Sequence, residues 1–178
     1  MTSPEPTGRL LRTEHGRDLV LTRTLGSPLP EVWASLTESE RTARWIGPWK
    51  GEAGPGKTVE MQLVFEEGAP WSPFLIEACE PPHLLTVSIP SEGGSWPMEV
   101  RLSEADGGTA VELVHRLSAD GQASGEAGLG AIGPGWEYYL DMFLAAHEGR
   151  PLPSFDDYYP AQQEYFEQLE PEPRATDS

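Results

Sequence analysis

The sequence is poor in cysteine, in basic residues and in long apolar runs. Its 178 residues contain one cysteine, Cys79, which rules out a disulfide within the chain and is usual in a reducing compartment. Twelve basic side chains stand against 29 acidic ones, and the formal net charge is −17. A field of this sign repels phosphate backbones and anionic membrane surfaces, so we expect neither nucleic acid nor a membrane as a partner.

Targeting segments and membrane-spanning segments are also missing. The first 16 residues lack the continuous apolar stretch of a signal peptide, and no run of about 18 apolar residues occurs anywhere. We therefore predict a cytoplasmic protein without a transmembrane helix.

Recognisable catalytic and metal-binding motifs are absent as well. The four histidines, at positions 15, 83, 115 and 147, have no metal-ligand spacing to each other or to cysteine and carboxylates, and no Gly-x-Ser-x-Gly motif occurs. Cys79, as a lone thiol, is typical of core packing rather than of a nucleophile. The sequence predicts no metal, no cofactor and no catalytic residue, which favours a binding protein over an enzyme.

Alternation of apolar and polar residues predicts an antiparallel sheet of about six strands. Two short helices separate the first strand from the others, the first of them capped by Ser27. A long helix over residues 134–149 carries apolar residues at helical spacing and ends at Gly149. Pro97 favours an edge position or a bulge for its strand. The predicted strands are residues 17–25, 57–65, 73–79, 84–89, 96–102 and 109–117.

These elements predict an α+β fold in which a curved antiparallel sheet surrounds the C-terminal helix. Residues 1–16 are predicted to be flexible, and residues 17–150 to form one domain. Residues 151–178 are an acidic extension that contains too many aromatic residues for a plain disordered tail. Within the extension we predict a short helix over residues 161–169 and disorder from residue 170 onward.

Three motifs along the chain resemble one protein superfamily. Residues 28–37 read P-x-x-x-V-W-x-x-L-T and precede Trp45; Gly-Gly-Thr at 107–109 leads to Val114-His115; Trp136 and Leu140 lie in the last helix. Their order resembles the START-like helix-grip superfamily (SRPBCC), in the branch named after the C-terminal domain of the Hsp90 ATPase activator. The resemblance covers residues 17–150 and implies an apolar cavity between the sheet and the last helix.

This resemblance implies a small hydrophobic ligand, bound by a monomer or a homodimer. Within the cavity His115 and Tyr139 are the expected polar contacts. The same residues equally describe a filled core, with His115 as a satisfied histidine at its rim. The predicted cavity-lining residues are Trp45, Met61, Phe65, Phe74, Val87, Trp96, Met98, His115, Trp136, Tyr139 and Phe143.

Two other functions compete with ligand binding. A co-chaperone-like interaction module follows from the same resemblance, but the activator itself has an additional N-terminal domain that 16 residues cannot supply. A polyketide cyclase-type enzyme needs inward polar groups, whereas Glu60, Glu99, Arg101 and Arg116 are predicted to point outward.

Overall fold

A computed structural model describes residues 5–14, 16–91, 94–117, 129–169 and 172–173. These residues form one open, curved sheet of nine strands in the order β3-β4-β5-β6-β7-β8-β2-β1-β9. Eight strands pair antiparallel, and the two-residue β9 runs parallel to β1. The strands are β1 (Arg9–Thr13), β2 (Gly16–Leu25), β3 (Trp49–Lys50), β4 (Thr58–Gln62), β5 (Trp71–Glu80), β6 (Leu84–Ser91), β7 (Gly94–Ala105), β8 (Gly108–Leu117) and β9 (Glu172–Pro173).

The helices are α1 (Leu29–Thr37), α2 (Ser39–Thr42), α3 (Leu129–Glu148) and α4 (Gln163–Glu167), with a 3₁₀ turn at Phe155–Asp157. The α+β class and the helix-grip arrangement are confirmed. Two details of the helix prediction are wrong. The long helix begins at Leu129, not at residue 134, and Pro134 lies inside it. Pro28, not Ser27, is the N-cap of α1, and Ser27 Oγ is instead hydrogen-bonded to Nε2 of His147 at 2.8 Å. Within the described residues no helix combines the length and the apolar character needed to cross a membrane.

The core lies where α3 crosses the inner face of the sheet. Because side chains alternate along strands, cross-strand partners share a face, and Leu19, His115 and Met98 form one inward row. On α3, Leu140 packs with Leu19, and Phe143 packs with Val111. Each such burial of a large apolar side chain contributes about 1.5–3 kcal/mol, so α3 is held chiefly by this face.

The sheet is larger than the six strands predicted, because β1, β3 and β9 are too short to show alternation. Residues 1–16, predicted to be flexible, include β1, which pairs with β2 and buries Leu10. Pro97 also differs from its prediction, since β7 lies inside the sheet between β6 and β8. The ladder with β8 begins only at Met98, so Pro97 is paired on the β6 side alone, opposite Ser88.

The C-terminal extension packs against α3. The predicted short helix is α4, and Phe166 from it is fully buried against Gly133. A Cβ on Gly133 would lie 2.3 Å from the Phe166 ring, so only glycine permits this contact. Tyr158 is also buried, beside Tyr138 and Met142. Disorder was predicted from residue 170, but Glu172–Pro173 form β9; the other residues of that range lie outside the described part of the chain.

Candidate ligand-binding cavity

An apolar space of about 110 Å³, the inner cavity, lies between the sheet and α3. Strands β4 to β8 form its floor, α3 covers it, and the segment of α1, α2 and Ile46 closes one side. Trp45 is fixed there by a bond from its Nε1 to the Ser35 carbonyl (3.0 Å) and by edge-on contact with Phe143. Eight of the predicted residues line it: Trp45, Met61, Phe74, Val87, Met98, Trp136, Tyr139 and Phe143.

A larger space of about 590 Å³, the outer cavity, adjoins the inner one. Both are lined by Ile46, Phe74, Trp136 and Tyr139, so the two spaces lie side by side. Ligand pockets for small molecules typically measure about 300–1,000 Å³; the outer cavity falls in this range, and the inner cavity is smaller. The outer cavity adds Leu63, Phe65, Glu66, Glu67, Ile89, Ile132, Gly135, Tyr138 and Phe155.

His115 lies behind the cavity rather than on it. Its side chain is 0% exposed, and its Nδ1 accepts a hydrogen bond of 3.0 Å from Nε1 of Trp136. Burial lowers the pKa of His115 from 6.5 to about 4, so the ring is neutral at pH 7. With Nδ1 as the acceptor, the neutral ring carries its proton on Nε2. His115 therefore orients Trp136, which lines both cavities, and does not itself reach the space where we expected it.

Tyr139 lies at the junction of the two cavities. Its hydroxyl donates to Oε2 of Glu66 at 2.8 Å. Burial, together with this bond and the Glu66 charge, raises the pKa of Tyr139, and burial and the same charge raise the pKa of Tyr138. Both phenols are therefore neutral hydrogen-bonding groups beside one carboxylate. Tyr139 lines both cavities and Tyr138 lines the outer one, so these hydroxyls supply polar groups on the outer side of the apolar space.

One other predicted residue, Phe65, stands apart from the inner cavity. Phe65 lines only the outer cavity and is 37% exposed, because β4 ends at Gln62 and the alternation does not continue to residue 65. It lies instead in the loop that joins β4 to β5, together with Glu66 and Glu67. The backbone of Trp96 belongs to β7, whereas its side chain lies outside what the structure describes.

An ion-pair network on α3 was not predicted. Arg23 points inward from β2, on the same face as Leu19 and Leu21, and contacts Glu137 (2.7 Å) and Asp141 (2.9 Å). Burial by itself lowers the pKa of Arg23, but the two carboxylates outweigh it and the pKa is raised. Tyr158 donates to Asp141 at 2.6 Å. Two acids four residues apart on the predicted helix, facing an inward arginine, were the signal for this network.

The network brings charged side chains together on the inner side of the sheet. Across the described residues, no group of three or more His, Cys, Asp and Glu side chains is arranged to hold a metal ion. The guanidinium of Arg23 contacts both carboxylates. Because it links β2 to α3, the network helps to hold the helix on the sheet.

Similarity to known proteins agrees with this architecture. A family model described as "Activator of Hsp90 ATPase homolog 1-like protein" matches residues 27–148. The crystal structure of CalU16 from Micromonospora echinospora is 27% identical, with a TM-score of 0.70 over 93% of this chain and 96% of that one. The solution structure of the BPP1335 product of Bordetella parapertussis is 26% identical, with a TM-score of 0.67 over 97% of each chain.

A more distant structure shares the fold alone. DynU16, described as a putative protein in the dynemicin biosynthetic locus, is 17% identical, with a TM-score of 0.61 over 80% of this chain and 50% of that chain. No curated protein sequence matches the chain. The family model covers more than half of the chain, and the strand order and the gripped helix agree with it. The protein therefore belongs to the family of Activator of Hsp90 ATPase homolog 1-like proteins, within the START-like helix-grip superfamily.

Proposed function

We propose that the protein binds a small apolar or amphipathic molecule that occupies both the inner and the outer cavity. The observation that supports this function is an apolar space that the core side chains beneath α3 leave unfilled. Protein interiors are packed as densely as organic crystals, and a void costs about 24 cal/mol per Å³. For a void of about 110 Å³ the cost is about 2–3 kcal/mol, which an apolar ligand would recover.

The distribution of polar groups gives the ligand an orientation. Around Val87 and Met98 the inner cavity offers apolar side chains, whereas the hydroxyls of Tyr138 and Tyr139 lie on the outer side. A ligand with an apolar end inward and a polar end outward satisfies both surfaces, because an unpaired polar group in the inner cavity would lose its hydrogen bonds to water. His115 supports this arrangement indirectly, through Trp136.

Filling the inner cavity tests the proposal. Val87→Phe places a ring in the apolar space, and we expect decanol to bind more weakly by at least roughly tenfold, about 1.4 kcal/mol. Thr86→Val is the matched control, because Thr86 points to the opposite face of β6. Calorimetric titration gives the affinities, and circular dichroism shows that both variants are folded. An unchanged affinity for decanol in Val87→Phe would contradict binding at this site.

A second candidate function is suggested by the family itself. The family that matches residues 27–148 is named after a homologue of the Hsp90 ATPase activator. The C-terminal extension, which lies outside these residues, exposes Leu152, Phe155 and Tyr165. Exposed apolar side chains of this kind are those that a protein partner would cover. A pull-down with the Hsp90 of the same organism tests this function. Absence of a complex, with no change in the ATPase rate, would remove it.

A further inference from the structure

Aromatic side chains surround the outer cavity. Six of the residues that line it carry aromatic rings, contributed by β5, by α3, by the loop between β4 and β5, and by the extension. The rings meet at steep angles: Tyr138 and Phe155 lie 5.3 Å apart at 74°, and Tyr138 and Tyr139 lie 5.2 Å apart at 60°. Rings in this arrangement form walls around a space. The six are Phe65, Phe74, Trp136, Tyr138, Tyr139 and Phe155.

The charged side chains on the same cavity are both acidic. Glu66 and Glu67 line it, and no lysine, arginine or histidine is among its described lining residues. In the described part of the chain neither glutamate forms an ion pair with a basic side chain, and the net charge of the whole chain is −17. A positive group that enters the cavity would therefore meet negative charge that has no basic partner at the site.

We propose that the outer cavity binds the cationic head of an amphiphile, an alkylammonium or protonated amine group, whose apolar chain enters the inner cavity. This assignment rests on the proposed function and adds the class of the head group. Aromatic faces attract a cation through their quadrupoles, and the two carboxylates neutralise its charge. An anionic head would meet two like charges and no basic side chain.

The Tyr139–Glu66 hydrogen bond is compatible with an occupied cavity. A carboxylate offers about four acceptor positions, and Tyr139 uses one of them, on Oε2. An ammonium group can therefore approach Glu66 while the Tyr139 hydroxyl remains bonded to it.

Three probes with the same apolar chain test the assignment. Decyltrimethylammonium, decanol and decanoate are titrated calorimetrically into the full chain, at low salt and below their micelle-forming concentrations. We expect the cation to bind roughly five- to tenfold more tightly than the alcohol, and the carboxylate to bind more weakly than either. Added salt should reduce the advantage of the cation and leave the alcohol unaffected.

Paired variants locate the effect. Glu66→Gln/Glu67→Gln should lower the affinity for decyltrimethylammonium to about that for decanol, with decanol binding unchanged. Glu60→Gln/Glu77→Gln, at two exposed strand positions, removes the same charge elsewhere and should keep most of the preference. Equal binding of the three probes, or a preference that survives the Glu66/Glu67 change, would overturn the head-group assignment and leave the apolar site intact. Failure of all three probes to bind would overturn both.

Discussion

Removal of the Glu137 charge should destabilise the fold strongly. Its side chain is 1% exposed, and each carboxylate oxygen accepts from two donors. Oε1 accepts from Nη2 of Arg23 (2.7 Å) and Oγ1 of Thr7 (2.8 Å), and Oε2 accepts from the N–H groups of Thr7 and Gly8. In Glu137→Gln an NH₂ group takes the place of one carboxylate oxygen. In either orientation of the amide, this NH₂ group faces two hydrogen-bond donors and cannot accept from them.

The cost follows from these contacts. Two hydrogen bonds to a charged group are lost, and each is worth about 1.5–3 kcal/mol. Arg23, whose side chain is 11% exposed, keeps Asp141 as a partner, which limits the penalty of an uncompensated buried charge. We expect a loss of about 3–5 kcal/mol in the free energy of unfolding, the range measured when one partner of a buried ion pair is removed.

Urea denaturation followed by tryptophan fluorescence measures this loss. Glu60→Gln, at an exposed position of β4, is the control and should change the free energy of unfolding by less than about 0.5 kcal/mol. Arg23→Met completes a double-mutant cycle with Glu137→Gln, and we expect a coupling of about 1–3 kcal/mol. A loss below about 1 kcal/mol in Glu137→Gln, with no coupling to Arg23, would refute the view that this network holds α3.

Two further predictions concern the histidine behind the cavity and the glycine under the extension. Folding lowers the pKa of His115 from 6.5 to about 4, so between these pH values the unfolded chain is protonated at His115 and the folded chain is not. About 3 kcal/mol of the free energy of unfolding should therefore be lost as the pH falls from 6.5 to 4. His115→Gln, which can still accept from Trp136 but does not titrate, should remove that component from urea midpoints measured across this range, whereas equal slopes would contradict it. Gly133→Ala should displace Phe166, lowering the thermal midpoint and speeding proteolysis of the extension. Gly135→Ala meets nothing within 4 Å and should instead stabilise α3 by up to about 1 kcal/mol; similar midpoints for the two variants would refute the packing argument.

The sheet and the gripped helix were predictable because their patterns are long. Alternation in β5 to β8 placed Phe74, Val87 and Met98 on the face that covers α3, and helical spacing placed Trp136 and Phe143 opposite them. Each assignment rests on several helical turns or several alternating positions. Tertiary packing therefore did not change the secondary structure that the local pattern predicted.

Short segments and tertiary contacts were not predictable. The strand β1 has too few residues to show alternation. It forms because its backbone can pair with the edge of β2. The end of β4 at Gln62 moved Phe65 from the inner to the outer cavity. His115 was assigned to the correct face, but its bond to Trp136 depends on a distance between two elements that the sequence does not specify.

The ion-pair network was missed for another reason. Alternation along the first strand puts Arg23 on the same face as Leu19 and Leu21, and charged residues on such an apolar face are rare unless they are paired. Its partner Glu137 lies on the predicted last helix, so the sequence places each member of the ion pair in its own element. Neither pattern says which strand residue lies opposite which helix residue, and that pairing is set by the depth at which α3 packs.

Methionine methyl resonances test the central claim of a ligand-binding cavity most directly. The chain has four methionines, of which Met61 and Met98 line the inner cavity, while Met142 is buried beside Tyr158 and lines neither cavity. In a titration of methyl-labelled protein with decanol, the Met61 and Met98 signals should shift to saturation, and the Met142 signal should move much less. Saturating decanol that leaves Met61 and Met98 unshifted would contradict the account.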